Sequence, residues 1–226
     1  MKAMILAAGR GERLRPLTDN TPKPLIYAGN KRLIEYLIEA LVKAGFTELV
    51  INYAHLGEQF PEALGDGTKY GAKIQYSPEL AGGLETAGGI INALPLLGDE
   101  PFLVVNGDIW TDFDFTTLRH FKLADSMQCH LLLVSNPPHN SDGDFALDES
   151  GQVQLSGLNK FTFSGVAIYR PAMFKGLDNS KRPLKPLFVA AIEQGQVSGQ
   201  VHQGQWSDIG TIERLQQLIQ QLKTDV

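Results

Sequence analysis

Lys2-Ala3-Met4-Ile5-Leu6-Ala7-Ala8-Gly9-Arg10-Gly11-Glu12-Arg13-Leu14-Arg15-Pro16-Leu17-Thr18 runs from an apolar segment straight into a turn holding two glycines and three arginines. Lys2–Ala7 reads as a buried strand. Glycines at its end let backbone N–H groups approach an anion with no Cβ in the way. Arginines add forked donors that match phosphate geometry. Lys23 follows between Pro22 and Pro24. Two familiar readings of such a loop fail. A dinucleotide fingerprint needs glycine at position 14, where Leu14 stands, and no Gly-Lys-Ser/Thr follows as a P-loop requires.

Strand and helix patterns alternate after this loop. Arg32–Lys43 has helical spacing of Leu33, Ile34, Leu37, Ile38, Leu41 and Val42, with Gly45 where a helix stops. Glu48–Tyr53, Lys73–Tyr76, Phe102–Val105, Cys129–Ser135, Phe161–Tyr169 and Val197–His202 read as strands. Glu58–Leu64, Thr86–Leu94, Phe115–Leu123, Pro183–Gln194 and Ile212–Leu222 read as helices. Asp144–Leu147 and Gln152–Leu155 flank Glu149-Ser150-Gly151, a hairpin signal. The expected fold is α/β: a Rossmann-like three-layer α/β/α arrangement on a mixed, mostly parallel central sheet, with a small β-hairpin insert. One domain is expected over 1–226, in two halves, 1–112 and 113–226.

Composition narrows the function classes. Residues 1–32 hold seven Lys and Arg against Glu12 and Asp19, a local charge of +5. The whole chain is −5, so the remainder carries −10 and offers no basic stripe for a nucleic acid. Cys129, the single cysteine of the sequence, reads as a small buried hydrophobe. The five histidines show no metal-ligand spacing. No apolar stretch reaches the length of a membrane span, and no secretory signal is visible, so a cytoplasmic protein is expected.

In open α/β sheets, ligands sit beyond the carboxyl ends of the strands. That rule groups Gly9–Arg15, Ser77–Gly89 and Asn106-Gly107-Asp108 around one crevice. A carboxylate such as Asp108 at a buried strand end can bind Mg²⁺ beside phosphates, since Mg²⁺ favours one or two carboxylates plus substrate oxygens.

These motifs resemble those of the sugar-1-phosphate nucleotidylyltransferases over essentially the whole chain, which implies a nucleotide-binding half at 1–112 and a sugar-binding half at 113–226. Leu6 through Thr18 is similar to that family's opening pattern, with Glu12 where Thr or Ser is usual. Pro22-Lys23-Pro24 is similar to its lysine motif, Thr86-Ala87-Gly88-Gly89 to its base-reading segment, and Trp206-Ser207-Asp208-Ile209-Gly210-Thr211 to its closing motif. Glu85 replaces a usual glycine or alanine. The resemblance implies that Ala7, Ala8, Gly9, Gly11, Arg13, Lys23 and Gly88 bind the nucleotide, and that Arg13, Lys23 and Asp108 are catalytic. It implies that Asn106, Asp144, Phe163 and Gly165 face the sugar, and that Asp108 and Asp208 share Mg²⁺. Leu158-Asn159-Lys160 departs from the family's usual acid or lysine motif at that point. Within the family, the pattern is most similar to bacterial uridylyltransferases that act on UTP and N-acetylmuramate 1-phosphate in cell-wall recycling. Glucose-, mannose- or heptose-1-phosphate nucleotidylyltransferases, phosphocholine cytidylyltransferases and a sensor domain without turnover are the alternatives. No membrane or nucleic-acid partner is expected, and a monomer is compatible with the short form.

Overall fold

The computed structural model describes residues 1–79 and 82–224; Leu80 and Ala81, within the Ser77–Gly89 segment, and Asp225 and Val226 lie outside it. The strands are β1 (Ala3–Leu6), β2 (Tyr27–Ala28), β3 (Lys31–Arg32), β4 (Glu48–Tyr53), β5 (Lys73–Pro78), β6 (Phe102–Asn106) and β7 (Ile109–Thr111). They continue as β8 (Cys129–Val134), β9 (Phe145–Leu147), β10 (Val153–Gln154), β11 (Lys160–Tyr169), β12 (Val197–His202) and β13 (Trp206–Asp208). The helices are α1 (Leu33–Lys43), α2 (Gln59–Leu64), α3 (Glu85–Leu97), α4 (Thr116–Arg119), α5 (Lys185–Glu193) and α6 (Ile212–Thr224).

The main sheet runs β5-β4-β1-β6-β11-β8-β12. Along that path only β11 is reversed; β1, β4, β5 and β6 pair in parallel, as do β8 and β12. The hairpin β9–β10 joins the start of β11, where the insert was expected. Side-chain alternation along β1 sends Ala3 and Ile5 to one face and Met4 to the other. α1, α2 and α4 cover the first face, while α3 and α5 cover the second. The result is the three-layer arrangement expected from the alternating pattern. A third cluster under α6 joins Leu14 and Ile26 to Ile209, Leu215 and Leu218, which ties the two ends of the sequence together.

Ile34, Leu37, Ile38 and Leu41 are all buried on one stripe of α1, at roughly 2 kcal/mol of transfer free energy each. Its first turn is closed by Glu35, whose Oε2 accepts the Arg32 N–H at 2.8 Å. α3 is longer than its expected Thr86–Leu94; it starts at Glu85 and keeps Pro95 in its last turns. The helix expected over Phe115–Leu123 shrinks to the four residues of α4. Competing contacts explain this. Phe121 leaves the helical path to stack on His130, with ring centroids 4.0 Å apart. Arg170 then donates to the carbonyls of Leu123, Ala124 and Met127. The pairing of β7 with β13 was not expected, because its partners are about a hundred residues apart.

His130 is 4% exposed, and burial pushes its pKa down to about 4. The folded state therefore resists a proton that the unfolded chain accepts below pH 6.5. Stability is complete above that pH and falls as pH drops toward about 4, by up to about 3 kcal/mol. His130→Gln should flatten this part of the acid limb in denaturant titrations run from pH 7 to 4. An unchanged slope would assign the acid sensitivity elsewhere.

Candidate active site

The loop after β1 is folded onto Lys23. Gly11 has φ of +65°, and a Cβ there would lie 2.9 Å from both Lys23 Cβ and Thr18 Cγ2, so only glycine fits without a shift. Thr18 Oγ1 donates to the Gly11 carbonyl at 2.9 Å. Gly9 faces open space instead. Lys23 opens a short 3-10 turn with Pro22 before it and Pro24 after it, and is only 7% exposed. Its Nζ donates to Asp108 Oδ2 at 2.5 Å. A charge-assisted contact of this kind aims the nearly buried side chain at one point.

Asp108 sits in the turn after β6. Gly107 N–H donates to the Leu6 carbonyl at 2.8 Å, which docks that turn on the end of β1. The Asp108 carbonyl accepts Ile209 N–H at 2.7 Å, continuing the β7–β13 ladder. Asp208 is thus one strand away from Asp108. Its Oδ1 accepts from Arg214 Nη1 and lies 2.9 Å from His139 Nε2. Arg13 lies against the same motif: a Cβ on Gly210 would come within 2.9 Å of Arg13 Nη2.

Two cavities meet at the carboxyl ends of β1 and β6. The first, about 340 Å³, is lined by Ala7, Ala8, Gly9, Arg10, Lys23 and Asp108 among others. The second, about 610 Å³, includes Gly143, Asp144, Phe163 and Gly165 in its wall. Leu6, Glu85, Thr86 and Asn106 belong to both, so the two form one cleft with a shared seam. At that seam Gly165 has φ of +82°, and a Cβ there would come 2.5 Å from Asn106 Nδ2. The register of β11 against β8 shifts between Phe163 and Val166, so Gly165 is both a bulge and a close-approach site. Trp206 Nε1 donates to the Ser164 carbonyl at 2.9 Å, bracing this bulge from β13.

The structure therefore brings Ala7, Ala8, Gly9, Lys23 and Asp108 to the first cavity, and Asn106, Asp144, Phe163 and Gly165 to the second. Four expected residues lie outside both linings, Asp208 among them, one strand away from Asp108. Gly11 supports Lys23 from behind, and Arg13 packs on Gly210. Gly88 is buried in α3; its N–H donates to the Arg182 carbonyl at 3.2 Å, and a Cβ on it would meet the Ser180 carbonyl at 2.5 Å. The segment around Ser180–Arg182 thus packs directly against Gly88. Glu85 and Thr86, one turn earlier, face the cavity instead. Glu85 has φ of +58°, the conformation that a glycine would adopt without strain at this position.

Sequence reasoning missed Asn52 and Glu79. Asn52, 2% exposed at the end of β4, accepts Ala7 N–H on Oδ1 at 2.8 Å. Its Nδ2 donates to Glu79 Oε1 at 2.6 Å, and Glu79 Oε2 accepts Leu84 N–H at 2.7 Å. This chain of hydrogen bonds joins the loop after β1 to the loop after β5, and both side chains border the first cavity. The available signal was a polar residue closing an otherwise apolar strand.

Similarity to known proteins agrees with this geometry. A family model described as nucleotidyl transferase matches residues 2–225. An N-acetylmuramate α-1-phosphate uridylyltransferase of Neisseria meningitidis serogroup B is 58% identical over 224 residues, covering 96% of each chain. A mannose-1-phosphate guanyltransferase beta-A of Xenopus laevis is 33% identical over 222 residues, which span 93% of this chain and 61% of that protein. Among solved structures, a Bacillus anthracis protein in complex with sucrose superposes with a TM-score of 0.86 at 20% identity, covering 100% of this chain and 96% of the other. HddC from Yersinia pseudotuberculosis, complexed with GMP-PN, gives 0.80 at 19% identity, covering 98% and 99%.

Proposed function

The chain belongs to the nucleotidyl transferase family, and from that premise we propose that it transfers a uridylyl group from UTP to N-acetylmuramate α-1-phosphate, releasing pyrophosphate. The observation that carries the chemistry is the Lys23–Asp108 pair, held at the first cavity near its seam with the second. The 58% identity to the Neisseria protein over 96% of both chains supports the choice of substrates.

A phosphate oxygen of the sugar phosphate attacks the α-phosphorus of UTP. A new P–O bond forms as the bond to the β-phosphate oxygen breaks, and pyrophosphate leaves with that electron pair. No protein nucleophile is required, so catalysis is positioning and charge neutralisation. Two anions must meet, and the Lys23 ammonium offsets their repulsion at the point of attack. Backbone N–H groups of Ala8, Gly9 and Arg10 receive the triphosphate. Arg13, lying on Gly210, supplies positive charge beside Asp208.

A magnesium ion fits this donor set. Among the described residues no cage of three or more His, Cys, Asp or Glu is gathered, but Mg²⁺ needs only one or two carboxylates beside substrate oxygens. Asp108 uses Oδ2 toward Lys23 and Asp208 uses Oδ1 toward Arg214 and His139, so each keeps a second oxygen for a cation. Once bound by these aspartates, the ion would neutralise phosphate charge. No described helix is long and apolar enough to cross a membrane.

Pyrophosphate release tests the proposal, with UTP, GTP or CTP paired against N-acetylmuramate, glucose, mannose and heptose 1-phosphates and phosphocholine, with Mg²⁺. The highest kcat/KM is expected for UTP with N-acetylmuramate 1-phosphate. Release confined to GTP with mannose 1-phosphate would refute the substrate assignment, and no release from any pair would refute the enzyme.

A further inference from the structure

The second cavity has a composition that a neutral hexose does not require. Phe145, Phe163, Leu184 and Phe188 line it, with Phe163 and Phe145 packed edge-on against Phe188. Two lysines also border this apolar wall, the half-buried Lys160 at the start of β11 and the exposed Lys185 at the start of α5. Among the described residues neither lies within 4 Å of a carboxylate. Each acid of the cavity already has a neighbour on one oxygen. Asp144 Oδ2 accepts Phe163 N–H at 2.8 Å and Asn140 Nδ2 at 3.3 Å, and Glu85 lies 3.9 Å from Lys181. The stem of Lys160 is seated against Gly143, where a Cβ would come 2.9 Å from Lys160 Cβ.

The reacting phosphates have their own cation, since Lys23 lines the first cavity and not the second. Lys160 and Lys185 line the second cavity and not the first, so their charge is available to a different anion. N-acetylmuramate carries one: the carboxylate of its lactyl ether, which distinguishes it from N-acetylglucosamine. We infer that Lys160 and Lys185 are the specificity-determining residues that bind the lactyl carboxylate of the sugar substrate, while the phenylalanines pack against its methyl groups. This assignment rests on the N-acetylmuramate reading above. A carboxylate held by two ammonium groups in a partly desolvated chamber gains charge-assisted hydrogen bonds, and its neutral analogue leaves those ammonium groups unmatched.

The test compares N-acetylmuramate 1-phosphate with the same compound carrying a lactyl carboxamide, using UTP and the full chain. Wild type should show a KM at least about tenfold lower for the acid. Lys160→Gln and Lys185→Gln should each narrow that gap, and the double variant should close it while the carboxamide's KM stays where it was. Lys160→Arg should restore part of the preference, which a purely structural role would not. A preference that survives the double variant overturns the inference. So does a wild type with no preference, or an equal rise in KM for both compounds, which would place the lysines on the sugar's phosphate. A wild type that transfers to neither compound refutes the parent function instead.

Discussion

Lys23→Met should lower kcat by about a thousandfold while the protein stays folded. Methionine keeps the stem that packs against Gly11 and removes only the ammonium. The partner left behind, Asp108, has a side chain 35% exposed, so water can solvate it and the folding cost is small. The loss therefore falls on the transition state, where charge at the α-phosphorus is greatest. Asp108→Asn should lose a similar factor by the complementary route, since it keeps the shape and removes the negative charge. The two residues touch, so the double variant should be little worse than either single one. Steady-state pyrophosphate release on all three variants, with melting curves beside it, checks this. A near-wild-type kcat in either single variant removes that residue from the mechanism, and full multiplication of the two losses would mean that they act separately.

Asn52→Ala should cost about 3 kcal/mol of stability, roughly 10 °C in Tm for a chain of this size. Asn52 satisfies the buried Ala7 N–H and one oxygen of the half-buried Glu79, and both lose that partner. Leaving such groups unpaired costs more than an ordinary hydrogen bond supplies. The variant should also raise the KM for UTP, because the loop after β1 loses its tie to the loop after β5. Thermal melts with and without UTP measure both effects. An unchanged Tm would mean that water or a shifted Glu79 replaces the amide.

Elements whose signal is local were legible in the sequence. The i, i+3, i+4 spacing of α1 and the apolar runs of β1, β4 and β6 identify themselves, because burial on one stripe or on both faces leaves a periodic mark. So did the glycine loop, Lys23 and the Asp108 turn, which the family resemblance joined to Asp208. Features that depend on distant partners were not legible. α4 was shortened by Arg170, and Phe121 was drawn off by His130; neither competitor lies near the segment in sequence. The packing of Gly88 was not legible for the same reason, since the Ser180–Arg182 segment against it is more than ninety residues downstream. Asn52 and Glu79 close neighbouring strands, and only the β4–β5 register reveals that their side chains meet.

The β7–β13 ladder also sets an order of events during synthesis. Lys23 and Asp108 come from the first half of the chain, and β1, β4, β5 and β6 can pair before the second half exists. The turn at Asp108 gains its outer partner only when Ile209 reaches it, and Trp206 braces the Gly165 bulge only then. A nascent chain halted before residue 206 would present the loop after β1 and the walls of the first cavity, yet its reaction centre would stand open to water. Catalytic competence on the ribosome should therefore arrive in one late step, when β13 docks.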